Sequence, residues 1–337
     1  MGRITDSGNS PIERKVQVTG GSTYTVSLPK GWANDREIAS GSPVHLYPFE
    51  DRLVVAQPDG AVPTHRAEMN VDSVGETALA GRIEAAYAAG VDKIVVESDT
   101  GFDSSRRRLV TESITSLVGI EIATETDHEI VATSLLDPSE ISLDGTIDQI
   151  RQISLSMHEN AISTIVSADS TELANHIISR DDDVDRLFAL VSRQFYRALN
   201  DVREADKLGT DRKMAFTRFR IARQLERIAD HAERIAEVAI RQESPPPAEL
   251  GESFEAIATD ARRVVRTAID GNAGEALLRR DDVIEQLDEL DRELYDAHGD
   301  DTYLYGRVLE SIRRTTEYGG NVAEIITLAD IAETENT

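Results

Sequence analysis

The sequence predicts a multidomain chain, α+β at first and all-α after. A short β module and a small α/β layer precede a helical half that gives one three-helix unit twice. Three observations carry this expectation. Apolar Ile221, Leu225, Ile228, Ala232, Ile235 and Ala239 recur at alternating gaps of four and three through FRIARQLERIADHAERIAEVA (Phe219 to Ala239), the seam of an amphipathic helix. Ala161–Leu190 and Ala261–Leu290 align without a gap at an offset of one hundred residues. Ile177-Ile178 falls on Leu277-Leu278, Arg180-Asp181-Asp182 on Arg280-Asp281-Asp282, Val184 on Ile284, Asp185 on Glu285 and Leu187 on Leu287. Finally, period-two alternation flanks a Gly-Gly pair before residue 29, and strand-like and helical runs alternate over 65–138.

Residues 1–60 make the β module. Val16-Gln17-Val18 and Tyr24-Thr25-Val26-Ser27-Leu28 flank Gly20-Gly21, a hairpin pattern. Pro29 opens a short helix, where its fixed φ suits the first turn. That helix is expected to end near Ser40-Gly41 and to put Trp32 in a core. Val44–Tyr47 and Leu53–Val55 read as two more strands.

The layer over 65–138 begins with a strand at His65–Val71 and a helix at Gly75–Ala89, closed by Gly90. Lys93–Glu97 is a strand and Ser104–Leu117 a second helix, closed by Gly119; Glu121–Thr124 and Glu129–Ala132 can pair as final strands. It holds no glycine-rich phosphate loop and no nucleophile motif, so it reads as a spacer or interaction domain. Arg106-Arg107-Arg108 are expected to serve as internal salt-bridge partners.

In the first repeat, 141–243, Gly145–Ala168 is one helix. Asp169 is placed to cap the next, with Glu172 completing a capping box, and that helix is expected to run to about Ala205. Gly209-Thr210-Asp211 breaks it ahead of the seam helix, and Ser244-Pro245-Pro246-Pro247 is a stiff linker. The second repeat, 248–334, is punctuated at Asp270-Gly271-Asn272 and His298-Gly299-Asp300. Its last helix echoes the seam helix, with Ile221, Arg223, Glu226 and Ala232 matched by Ile312, Arg314, Glu317 and Ala323.

Composition narrows the function classes. The 337 residues contain no cysteine, which excludes disulfides, thiolate metal sites and cysteine catalysis. No run of eighteen apolar residues suggests a membrane span, and the first residues lack the apolar core of a secretory signal, so a cytoplasmic protein is expected. Acidic residues number 62 against 36 basic, and only five of the basic ones are lysine. Such a surface suits molar salt, where the Debye length is about 3 Å, and points to a halophilic, haloarchaeal source. Residues 1–60 depart from this with six basic and seven acidic side chains.

Within the seam helix, Glu226 and Asp230 stand four apart. At about 100° per residue they lie together, off the seam, on a face expected to be accessible. The segments RDDDVDRL (Arg180–Leu187) and ARQLERIADHAERIAE (Ala222–Glu237), set in the duplicated unit over roughly 141–334, resemble the PhoU family of phosphate-uptake regulators. The resemblance implies a six-helix fold of two three-helix bundles whose E/DxxxD motifs hold a multinuclear metal cluster of iron, manganese, magnesium or zinc. Carried over, the metal ligands are Asp181, Asp185, Glu226 and Asp230, with Asp182 and Asp183 assisting. Those of the second unit are Asp281, Glu285 and Glu317, where Asn321 replaces the fourth acid. Anionic oxygens from adjacent helices suit hard cations. The implied role is negative regulation of phosphate transport and signalling, through a phosphate ABC transporter ATPase or a phosphate-signalling protein. Catalysis is not expected: a di-iron oxidase would need Glu-x-x-His, and Ala229 stands three residues after Glu226.

The string RKVQVTGGSTYTVSLPKGWANDREIASGSPVHLY resembles the SpoVT/AbrB-like domain, in which two chains interleave as swapped hairpins. The resemblance implies a homodimer. It leaves open whether the module also binds promoter DNA, with Arg14, Lys15 and Lys30 at the matching positions, or serves dimerisation alone. The alternative overall function is therefore a DNA-binding transcriptional regulator with the helical bundles as sensor.

Overall fold

The computed structural model describes residues 11–49, 52–57, 65–168, 170–296 and 301–334. Contacts divide the chain into two units, 1–62 and 63–337. In the first, β1 (Gln17–Thr19) pairs antiparallel with β2 (Thr23–Thr25), Val18 opposite Tyr24. The turn is made by Gly20 and Gly21, whose φ of 64° and 81° a side chain would resist. Helix α1 (Lys30–Asp35) stops well short of Ser40-Gly41. Glu37 takes a left-handed φ of 53°, and the Glu37 and Ile38 amides turn back to the Asn34 and Ala33 carbonyls at 3.0 and 2.8 Å, a C-terminal cap that ends the helix. β3 (His45–Pro48) pairs antiparallel with β4 (Leu53–Ala56). No described residue of this unit is buried. Trp32 is 36% exposed, contrary to the core position expected of it.

The second unit opens with the α/β layer: β5 (Arg66–Asn70), α2 (Glu76–Ala88), β6 (Lys93–Glu97), α3 (Ser104–Thr115), β7 (Ile120–Glu125) and β8 (Glu129–Ser134). The sheet order is β5-β6-β8-β7, with β5 and β6 parallel and the other pairs antiparallel. Leu79, Ile83 and Tyr87 of α2 and Val110 and Ile114 of α3 pack with Ile94, Val96, Ile130 and Ala132. The three arginines pair internally, Arg106 with Asp72 (3.1 Å), Arg107 with Glu125 (2.7 Å) and Arg108 with Glu112 (2.7 Å).

Then come the long helices: α4 (Leu143–Val166), α5 (Thr171–Asn200), a short α6 (Val202–Lys207), α7 (Arg212–Arg241), α8 (Ala248–Ile269), α9 (Ala273–Asp296) and α10 (Thr302–Thr334). Asp169 and His298-Gly299-Asp300 lie outside the described residues. Ser170 precedes α5 and gives it no side-chain cap. Instead its hydroxyl donates to the Thr164 carbonyl at 2.8 Å. Helix α5 ends at Asn200 rather than Ala205: Asp201 is extended (φ −133°, ψ 122°), and its carboxylate accepts the Arg203 amide at 2.9 Å to start α6 afresh.

Helix α7 packs against α4, α5 and α10, and its counterpart α10 packs against α7, α8 and α9. One apolar core therefore runs through both repeats, from Ile150 and Leu225 to Val264 and Ile312. Close approach of α10 to α8 rests on Gly319, where a Cβ would stand 2.9 Å from Val264 Cγ1 and 3.0 Å from the Val265 backbone nitrogen. A polar seam crosses the core: Arg262 of α8 donates to His158 Nδ1 of α4 (3.3 Å), and Asn321 of α10 donates to Gln224 Oε1 of α7 (3.0 Å). Burial, with Arg262 alongside, holds the His158 imidazole neutral at a pKa of about 3.

The α/β layer joins the bundle through α2 against α5. Arg193 of α5 is 1% exposed. Its Nη1 donates to the carbonyls of Tyr87 (3.0 Å) and Val91 (2.7 Å), and its guanidinium lies 5.0 Å from the centre of the Tyr87 ring. Arg197 pairs with Asp92 beside it. Among the described residues, no helix is long and apolar enough to cross a membrane.

Candidate metal centre

Two carboxylate ladders face each other across the α5–α7 contact. Helical spacing stacks Asp181 and Asp185 one turn apart on α5, and Glu226, Asp230 and Glu233 on successive turns of α7. One oxygen from each of Asp181, Asp185 and Asp230 lies within 4.8 Å of the other two. Glu226 stands next to this trio.

The accessible face expected for Glu226 and Asp230 is not what the structure has. Glu226 is 7% exposed and Asp230 half-buried, because α7 is wrapped by three helices and α5 covers the acidic face. Glu226 Oε1 accepts from Arg223 at 2.6 Å, whereas Oε2 is buried with no hydrogen-bond partner, as is Asp181 Oδ1. Buried carboxylate oxygens of this kind need a proton or a cation.

Electrostatics carry the same imprint. Burial, then the charges of Asp185, Glu233, Asp230 and Glu226, push the Asp181 carboxyl up to about 8. Asp185 is exposed at its outer edge, and partial desolvation on the α7 side, with Asp230, Glu84 and Asp182, raises it to about 6 against the pull of Arg223. Glu226 rises to about 7 through burial and Asp230, with Arg223 opposing. Asp230 and Glu233 also move upward, burial being the largest cause for each. The group therefore gathers protons near neutrality, and a hard cation would displace them.

The donor set is all oxygen. His231 adjoins Asp230 but turns away: Arg234 donates to its Nε2 (3.1 Å), so its proton sits on Nδ1 and is donated to Ser311 Oγ of α10 (3.2 Å). Carboxylates without nitrogen or sulfur fit iron, manganese or magnesium better than zinc. Beside the trio opens a cleft of about 670 Å³ between α2, α5 and α7, with Glu84, Asp182, Asp185, Arg186, Arg223 and Glu226 among its lining. Asp183 is taken up by Arg186 and Arg180.

A PhoU domain model matches residues 147–239. The matched stretch holds α5 and α7 whole except for the last residues of α7, and with them the carboxylate trio and Glu226. No curated protein matches the chain. Among solved structures it is similar to PhoU from Pseudomonas aeruginosa, at 18% identity and a TM-score of 0.45, over 55% of this chain and 93% of that one. It is also similar to the phosphate transport system regulatory protein PhoU from Streptococcus pneumoniae, at 17% identity and a TM-score of 0.43, over 55% and 91%.

Outside the PhoU-matched stretch the expected second site does not assemble. Asp281 pairs with Arg280 (2.8 Å) and Glu317 with Arg314 (2.9 Å), while Glu285 is exposed. Among the described residues no trio of ligand oxygens forms there. Asn321, in the place of the fourth acid, is spent on Gln224. Arg14, Lys15 and Lys30 of the first unit are all exposed, Lys30 as the first residue of α1. Sequence reading missed Glu233 and Glu84. Glu233 was within reach, since it continues the Glu226 and Asp230 ladder at the next turn; Glu84 belongs to another element and carries no spacing signal.

Proposed function

We propose that this protein is a PhoU-type regulator of phosphate transport, a cation-binding adaptor that restrains uptake and its signalling and has no catalytic task. The observation that carries this reading is the coincidence of the PhoU domain match with the converging carboxylates: the matched residues 147–239 contain Asp181, Asp185, Glu226 and Asp230. The orphaned oxygens of Glu226 and Asp181 support a bound cation. Asp181, Asp185, Asp230 and Glu226 would hold iron, manganese or magnesium, which would neutralise their mutual repulsion. A phosphate transporter ATPase or phosphate-signalling protein is the proposed partner. The test has two arms. Elemental analysis of protein purified in molar salt should find the metal in wild type and lose it in Glu226→Ala and Asp230→Ala. Cells lacking the gene should take up excess phosphate and be corrected by wild type but not by these variants. Unchanged uptake in the deleted strain would overturn the regulatory reading.

The first unit supports a homodimer. Val16, Val18, Tyr24, Val26, Leu46 and Leu53 are each more than half exposed, a surface that a second copy with interleaved hairpins would cover. DNA binding through Arg14, Lys15 and Lys30 is the second reading, favoured by their exposure. Footprinting on phosphate-transporter promoter DNA in high salt tests it, and absence of a footprint would leave the module a dimerisation device.

A further inference from the structure

The PhoU-matched stretch supplies only part of the wall around the carboxylates. Of the cleft-lining residues outside 147–239, Glu84 of α2 alone carries a charge; the others are Gly81, Ala85, Ala88, Ser116 and Leu117. Glu84 has no ion pair among the described residues, and its charge reaches Asp185 across the cleft. The cleft's floor includes Glu226, more than nine-tenths buried, with Oε2 unpartnered.

The mechanics of the α2–α5 joint matter here. The end of α2 and the residues after it are pinned by Arg193, through the Tyr87 and Val91 carbonyls, and by Arg197 through Asp92. Within the preceding turns, Gly81, Glu84 and Ala85 face open volume rather than packed side chains. Opposite Glu84 the cleft presents Asp182, Asp185 and Glu226 together with Arg186 and Arg223. Arg186 is engaged by Asp183 and Arg223 by Glu226, so the carboxylates around Asp185 still repel an anionic side chain on a helix pinned beyond one end. A cation between them reverses the sign of that force.

We propose that the α/β layer completes the cation site: Glu84 reaches, from α2, a hard divalent cation held by Asp181, Asp185, Asp230 and Glu226, and loading of the cation draws α2 toward α5. This rests on the cation reading above and adds to it a readout, since occupancy becomes the position of the layer. A phosphate regulator built this way presents one surface when loaded and another when empty.

The test uses the full chain in molar KCl with Mn²⁺ as the probe. Calorimetric titration measures binding, and hydrogen exchange follows the α2 amides (76–88) with and without metal. In wild type Mn²⁺ should slow exchange in α2. Glu84→Gln, an isosteric change at an exposed position, should keep Mn²⁺ binding but weaken it by about tenfold, the usual effect of losing an outer carboxylate, and should abolish the α2 protection. Asp282→Asn, exposed in the second repeat, should change neither. Equal affinity and equal protection in Glu84→Gln would overturn the inference while leaving the cation site standing. Failure of wild type to bind Mn²⁺ would remove the cation reading and the inference together.

Discussion

Asp181→Asn, in the presence of a chelator, should make this protein more stable at pH 8 and flatten its pH dependence. The folded state keeps the Asp181 proton up to about pH 8, whereas an unperturbed aspartate releases it near 3.8. Between those values folding takes up protons, so stability falls as pH rises. A shift of that size corresponds to a penalty of about 5 kcal/mol for the ionised group at pH 8. Asp181 keeps part of its surface in water, and screening there brings the figure to roughly 2–3 kcal/mol. For a unit of this size that is roughly 5–10 °C in Tm. Thermal melts at pH 5 and pH 8, at fixed molar KCl with chelator, should therefore show wild type losing stability toward pH 8 and Asp181→Asn losing distinctly less. Replacing chelator with Mn²⁺ should restore wild type at pH 8 and do less for the variant. A wild type whose melting is unchanged or rises between pH 5 and 8 in chelator would refute the claim that the cluster is a store of repulsion.

Four further outcomes are expected, three from the packing of the helical unit and one from the first unit. Arg193→Met removes the donor to the Val91 carbonyl and one of two donors to the Tyr87 carbonyl, which keeps the Gly90 amide at 2.9 Å; the expected cost is about 2 kcal/mol, read by thermal melting. Gly319→Ala should destabilise by roughly 1–2 kcal/mol, because its Cβ meets the Val265 backbone and Val264 at about 3 Å. Gly306→Ala, on the same helix with open space around it, should instead stabilise by up to about 1 kcal/mol through helix propensity. Deleting residues 1–62 should convert a dimer to a monomer in light scattering; a dimer that survives would place the interface elsewhere.

Much of the organisation was legible in the chain. Period-two alternation and the Gly20-Gly21 pair marked the first hairpin, and the alternation of strand and helix over 65–138 marked the layer. The hundred-residue repeat located paired helices, because an amphipathic face and its breakers are written locally. Boundaries failed where a single residue's conformation decided them. Glu37 in a left-handed conformation ended α1, and Asp201 capping α6 ended α5; neither carries a glycine or proline to announce it.

The candidate site divides along the same line. Spacing by itself determined that Glu226 and Asp230 share a face of one helix, and Asp181 and Asp185 a face of another, since the helical period is a local property. Whether those faces look at water or at each other depends on which helices surround α7, a matter of long-range packing that no period encodes. The tertiary structure put α5 over the acids of α7, left Asp281 and Glu317 to neighbouring arginines in the second repeat, and brought Glu84 to the cleft from the α/β layer. Burial there takes Glu226 and parts of Asp181 and Asp230 out of water beside the exposed Asp185, so that like charges meet in partly desolvated surroundings, and the proposed cation site rests on that change of surroundings.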